Sequence, residues 1–206
     1  MLRYTGIMKL IGRYDSPFVR RVGITLHVLG QPFEHLPLSP FSQAAELRRY
    51  ATIGRMPVLV LDDGEALIES AAILDYLDQM VGPLNALVLT DGIERRNALK
   101  ILACATAACD KAVAINYERR RPTQLIFDDW IGRCQLQLNA ALSELEAVRL
   151  QPPNNKNLRQ IDITTARAFA YIRRVEPNAT QVGRYPLLEA HSSSCEVRDE
   201  FMACPQ

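Results

Sequence analysis

The chain has 206 residues, 48% of them apolar and 23% charged, with 24 Lys and Arg against 23 Asp and Glu. That length is enough to bury a real core in one compact domain or two small ones, and the composition is globular rather than disordered. A net charge of +1, with no excess in either half, excludes the basic footprint of a nucleic-acid binder, and no apolar run approaches the ~18 residues of a membrane span.

Taken in chain order, Lys9 to Arg13 reads as a short strand. Ser16-Pro17 opens a helix, because Ser is a good N-cap and Pro at the first helical position loses no needed N–H. Val19, Val22, Leu26 and Leu29 follow at helical spacing, and Gly30 suits the stop. Pro32 to Leu38 reads as a second strand and Ala44 to Tyr50 as a short helix. Pro57 to Leu61 is a strand, Asp62-Asp63-Gly64 a hairpin turn and Ala66 to Ile68 the returning strand. Ser70 is expected to cap a helix with an apolar stripe of Ile73, Tyr76, Leu77, Met80 and Val81.

The texture then changes. Seven of the ten glycines lie before residue 85, so the first part reads as mixed α and β and the rest as helical. Asp91 to Glu118 forms one long helical pattern. Ile131, Cys134, Leu138, Leu142 and Leu145 line a face of the next. Residues 151–157 read as an Asn-rich loop, Ile163 to Arg174 as a very apolar central helix, and Leu187 to Phe201 as a last helix. Five cysteines, odd in number and without a Cys-x-x-Cys pair, point to reduced thiols and a cytoplasmic setting. No apolar secretory stretch precedes Arg13. The three scattered histidines support no metal site.

Three junctions could carry chemistry. Tyr14-Asp15-Ser16-Pro17-Phe18-Val19-Arg20 puts a hydroxyl beside the positive end of a helix; the alternative is a plain cap. Gly54-Arg55-Met56-Pro57-Val58-Leu59 starts a strand with a proline, and a cis Met56–Pro57 bond would turn the Met56 backbone toward a ligand. Glu69-Ser70 heads a helix whose free N–H groups and hydroxyl suit a carboxylate, with Glu69 available to an ammonium group; the alternative is again capping. The order β-α-β-α-β-β-α brings all three to one sheet edge. That edge suits a peptide-like ligand with a free α-carboxylate, an amine and a thiol.

On these residues the sequence resembles the glutathione S-transferase family, from about Met8 onward, as a serine-type, bacterial-like cytosolic member. Ser16-Pro17-Phe18-Val19-Arg20 is similar to the catalytic turn, Gly54 to Leu59 to the cis-proline segment and Glu69 to Leu77 to the glutathione-carboxylate motif. Asp162 to Ala166 resembles the start of the family's central helix.

The resemblance implies an α/β thioredoxin-like domain over residues 8–84. It implies an all-α domain over 91–206 that contributes the hydrophobic co-substrate site, near Ala103 to Tyr117 and Thr165, and a homodimer as the assembly. It implies a detoxifying glutathione transferase that conjugates glutathione, as co-substrate and without a metal, to small hydrophobic electrophiles. Ser16 would be catalytic, with Tyr14 as the competing hydroxyl; Arg55, Met56, Pro57, Glu69 and Ser70 would bind glutathione; Arg20 would be an ion-pair or surface residue. The alternatives are a non-catalytic binding or scaffold module, or another glutathione-dependent reaction such as isomerase, etherase or peroxidase chemistry.

The sequence also departs from the family pattern. Neither a junction cysteine nor a Ser-Ser-Cys junction is present, Ala51-Thr52 stands where Asn-Pro is common, and Arg159 occupies the usual cap position of the central helix. The last change is expected to lose the reciprocal capping bond to Asp162, leaving Asp162 to cap through Thr164 or Thr165.

Overall fold

Leu10 and Ile11 are fully buried because the strand that carries them, β1 (Met8–Ile11), is one of the two interior strands of a four-stranded sheet. A computed structural model describes residues 7–153 and 158–206 of the chain. β1 runs parallel to β2 (Phe33–Leu36) on one side and antiparallel to β3 (Val58–Val60) on the other, and β3 pairs antiparallel with β4 (Ala66–Ile68). The register sets Leu10 opposite Leu59, and Ile11 opposite Val58. Strand alternation then sends successive residues to opposite faces. Ile11 and Val58 cluster with Leu38 and with Leu47 of α2 (Ala44–Tyr50).

Helix α1 (Pro17–Val28) packs on β1 and against α3 (Ser70–Val81). The predicted stripe of α3 is realised: Ile73 and Leu77 are buried, joined by Leu74, while Tyr76, Met80 and Val81 are half-buried. Each fully buried aliphatic side chain contributes about 1.5–3 kcal/mol relative to exposure. The β3–β4 turn closes through Leu61 N to Glu65 O at 2.8 Å, with Gly64 at φ +88° where a Cβ would be strained.

The chain divides into two compact units, one extending through Leu87 and including Asp199–Gln206, the other Val88–Arg198. The helical stretch read from the sequence as 91–206 is thus divided, with its last eight residues packed in the first unit. The reason is α1: Arg20 Nη2 donates to Phe201 O at 3.1 Å in the short helix α8 (Asp199–Met202), and its Nε donates to Cys204 O just beyond that helix. Arg20 is 3% exposed, so the surface role expected of it is wrong. Its guanidinium satisfies carbonyls at a helix C-terminus, which side-chain cations commonly do.

The second unit holds α4 (Gly92–Glu118), α5 (Asp128–Val148), α6 (Gln160–Val175) and α7 (Pro186–Glu196). The five predicted face residues of α5, Ile131 to Leu145, are its buried set. α6 is buried from Gln160 through Ile172, as a central helix must be.

Its start corrects one expectation. Arg159 N donates to Asp162 Oδ2 at 3.0 Å, so the carboxylate half of the capping exchange survives. Only the other half is lost, because a guanidinium has no acceptor; instead, Arg159 Nε folds back onto Asp162 Oδ2 at 3.2 Å. Residues 154–157 of the predicted loop lie outside the described residues. Among the described residues no helix is long and apolar enough to cross a membrane, and no group of His, Cys, Asp and Glu is arranged to hold a metal ion. All five cysteines are free, Cys104 half-buried and the others buried.

Candidate functional site

Gly12 is where the first two predicted junctions meet. It follows β1 with φ +127°, a backbone that L side chains rarely adopt. A Cβ there would lie 2.7 Å from Val19 Cγ2 and 2.9 Å from Met56 Cβ. The end of β1, the first turn of α1 and the Met56 loop are therefore packed together with no room between them. The Met56–Pro57 peptide is cis, and strand pairing starts only at Val58, so the Met56 main chain lies outside the ladder.

Two side-chain links bring in the third junction. Arg55 Nη1 pairs with Glu69 Oε1 at 2.9 Å, joining the Met56 loop to the start of α3. Arg21 Nη2 donates to Ser70 Oγ at 2.8 Å, joining α1 to that same start. Ser16, Arg55, Met56, Pro57, Glu69 and Ser70 thus belong to one connected patch of the first unit.

Ser16 is the N-cap of α1, 9% exposed, and its oxygen accepts from Val19 N at 3.4 Å, the long end of the hydrogen-bond range. A hydroxyl has one proton and two lone pairs, so accepting from Val19 leaves the proton available. Capping therefore leaves the same hydroxyl able to donate. Pro17 at the next position has no N–H, and Val19 and Arg20 N–H both donate to Ser16, so Phe18 carries the first-turn N–H without an intrahelical partner.

Tyr14 occupies a different place. Its ring stacks on His35 with centroids 3.9 Å apart. Its hydroxyl lies where a Cβ on Gly23 would be only 3.0 Å away, and the Cys204 sulfur lies equally close to that position. Gly23 is two turns along α1 from Ser16, roughly 10 Å at 1.5 Å per residue. Burial, and then the Cys204 sulfur, push the Tyr14 hydroxyl well above the ordinary phenol range. Burial likewise raises the Cys204 thiol to about 11. Two clefts of about 500 and 510 Å³ share Tyr14, His35 and Ala203 as walls, and no residue assigned to glutathione lines either.

The expectation that Ser70 caps α3 is corrected. Glu69 is the N-cap residue, at φ +66° and with no side-chain capping bond, and Ser70 is already the first helical residue. One position into the helix, the Ser70 side chain turns to Arg21 instead. Arg21 was not anticipated. Residues 19–26 are buried without a break, which leaves α1 no solvated face for a charge, but that burial is set by the tertiary fold and not by a local pattern.

A sequence model described as the glutathione S-transferase N-terminal domain matches residues 10–83. The chain is 32% identical over 174 residues to the GST-like protein YibF of Escherichia coli, covering 82% of this chain and 85% of that one. It is 31% identical over 147 residues to a maleylacetoacetate isomerase of Pseudomonas aeruginosa, covering 67% and 69%. Among solved structures, a glutathione S-transferase of Methylobacterium radiotolerans in complex with glutathione sulfonate superposes with TM-score 0.87 at 26% identity, over 96% and 93% of the chains. A glutathione transferase family member of Pseudomonas fluorescens with bound glutathione superposes with TM-score 0.82 at 29% identity, over 96% and 98%.

Proposed function

The chain belongs to the glutathione S-transferase superfamily, and on that footing we propose that it is a serine-type glutathione transferase in which Ser16 activates the glutathione thiol. The observation that carries this reading is the connected patch. A hydroxyl with a free proton at the start of α1 shares it with an open Met56 backbone and the Glu69-Ser70 helix start. The relatives with glutathione or glutathione sulfonate bound support the same ligand here.

A free thiol has a pKa near 8.5, so only a few per cent is thiolate at neutral pH. Lowering it by about two units requires about 2.7 kcal/mol, at 1.36 per unit. A hydrogen bond to a charged acceptor supplies roughly 1.5–3 kcal/mol, and the α1 dipole adds to it. One hydroxyl therefore suffices in scale. The Ser16 proton bonds the sulfur, the thiolate attacks an electrophilic carbon, and the leaving group departs with its electron pair.

Met56 main-chain groups pair with the cysteinyl backbone of glutathione. Glu69 and Ser70 hold the γ-glutamyl end, and Arg55 faces the glycyl carboxylate. Arg55 and Glu69 pair with each other in the ligand-free chain at 64% and 54% side-chain exposure. Exposed pairs contribute about 0–1 kcal/mol, so exchange for ligand charges costs little. The co-substrate is a small apolar electrophile, assigned to the helical unit around Ala103–Tyr117. A homodimer and a reducing compartment such as the cytoplasm complete the proposal; the free thiols favour the latter.

Ser16→Ala tests the proposal against Tyr14→Phe. With glutathione and chlorodinitrobenzene, Ser16→Ala loses most turnover while calorimetric glutathione affinity holds, and Tyr14→Phe keeps turnover. The opposite pattern overturns the site. The maleylacetoacetate isomerase relative makes glutathione-dependent isomerisation the second reading, and a cis–trans isomerase assay on the same protein separates the two.

A further inference from the structure

We propose that Arg21 is a positioning residue for glutathione: it fixes the Ser70 hydroxyl so that the hydroxyl's proton faces the γ-glutamyl carboxylate. The inference rests on the glutathione reading above and deepens it.

A guanidinium has donors only, so in the 2.8 Å contact the Ser70 oxygen must accept. Its single proton is then left to donate, and no acceptor among the described residues takes it. Ser70 is the first residue of α3, where first-turn N–H groups lack intrahelical partners. Glu69 offers them no side-chain cap. The α3 start therefore presents backbone donors, the positive end of the dipole and one oriented hydroxyl, all favouring an anion.

Without Arg21 the Ser70 rotor would be free to turn its oxygen toward those N–H groups, as Ser16 does on α1. That would spend on capping the donors an anion needs. Arg21 removes this option because it occupies the oxygen from the other side. Arg21 is 4% exposed and Ser70 4%, so the contact sits in a region where water competes poorly and polarised hydrogen bonds strengthen one another. The charge on Arg21 also lies one hydrogen bond behind the arriving carboxylate, with the same sign as the helix terminus.

The role predicts discrimination by ligand. Calorimetry on the full chain compares glutathione with γ-aminobutyryl-cysteinylglycine, which lacks only the γ-glutamyl α-carboxylate. Arg21→Met should weaken glutathione about tenfold, the scale of one charge-assisted bond, and the analogue less than about twofold. Steady-state kinetics should show the loss in KM for glutathione rather than in kcat. In a Ser70→Ala background, Arg21→Met should add little, because the two act through one hydroxyl.

Arg21→Lys and Arg21→Gln carry the same comparison if the Met variant does not fold, with Lys the milder. Equal weakening of both ligands, or additive losses in the double variant, would overturn the role of Arg21 while leaving the glutathione reading intact. A wild-type chain that takes up neither ligand would overturn that reading itself.

Discussion

At the start of α1, Ser16 stands outside the helix and its oxygen accepts from Val19 N at 3.4 Å; at the start of α3, Ser70 stands inside and its oxygen accepts from Arg21 Nη2 at 2.8 Å. The first serine is satisfied by its own helix, three residues away, and the second by a side chain 49 residues distant. A shift of one position relative to the helix end separates the two. A serine at the cap serves local structure and offers its proton to whatever approaches. A serine one step in depends on the tertiary neighbour that meets it. On the proposed reading, thiol activation on α1 would be robust to distant change, whereas carboxylate recognition on α3 would be only as good as the α1–α3 packing.

The largest expected effect breaks the comparison at α1. Ser16→Ala should lower conjugation about 25-fold at pH 7, as the thiolate fraction falls from about three quarters to a few per cent over those two pKa units. Loss of the long cap bond should cost only about 0.5–1 kcal/mol by urea denaturation. If turnover and stability fall together in proportion, Ser16 is a cap alone.

Gly12→Ala strikes the junction of β1, the α1 start and the Met56 loop. A Cβ at φ +127° would press Val19 and Met56, and about 1–3 kcal/mol of stability should be lost along with glutathione affinity. An unchanged urea midpoint would show that the β1–α1–Met56 junction has slack.

A third measurement sharpens the contrast from the far side of α1, where Tyr14 meets Cys204. Folding raises the Cys204 thiol, chiefly by burial, from an ordinary 9.0 to about 11. A raised pKa means the folded state holds the proton more tightly. The associated stability is therefore full below about 9 and lost as pH climbs through about 11. The stability difference between the wild type and Cys204→Ala should be flat near neutrality and shrink over that interval. A slope near neutral pH would mean the thiol is not insulated.

The smallest effect is the stability change in Glu69→Gln. The Arg55 pair it breaks is exposed, so stability should move by less than about 1 kcal/mol while glutathione affinity falls clearly. Affinity unchanged to within twofold would remove Glu69 from the site.

What the sequence made legible follows the range of the interactions concerned. The α5 face from Ile131 to Leu145, the α2 limits Ala44–Tyr50 and the Asp62–Gly64 turn depend on neighbours a few residues away, and periodicity or turn chemistry reveals them. The three junctions proposed as the site were legible as structure for the same reason, since each is a short motif at an element boundary. Arg20 and Arg21 were not. Their partners are Phe201 and Cys204 for one and Ser70 for the other, and no local pattern announces a carbonyl 184 residues away. Arg159 was half legible: its loss of acceptor chemistry was plain, but the surviving bond from its own N–H to Asp162 belongs to the backbone and is blind to side-chain identity.

The hold of Arg20 on Phe201 and Cys204 has a consequence for biosynthesis. Domains emerging from a ribosome ordinarily fold in order, at about 5–20 residues per second. Here the sheet and α1 are translated early, yet their final neighbours, Asp199–Gln206, are translated only after the whole helical unit. The nascent first unit must wait, incomplete, until translation reaches that segment, and a stalled or truncated chain would leave Arg20 without these two carbonyl partners and α1 with an uncovered flank.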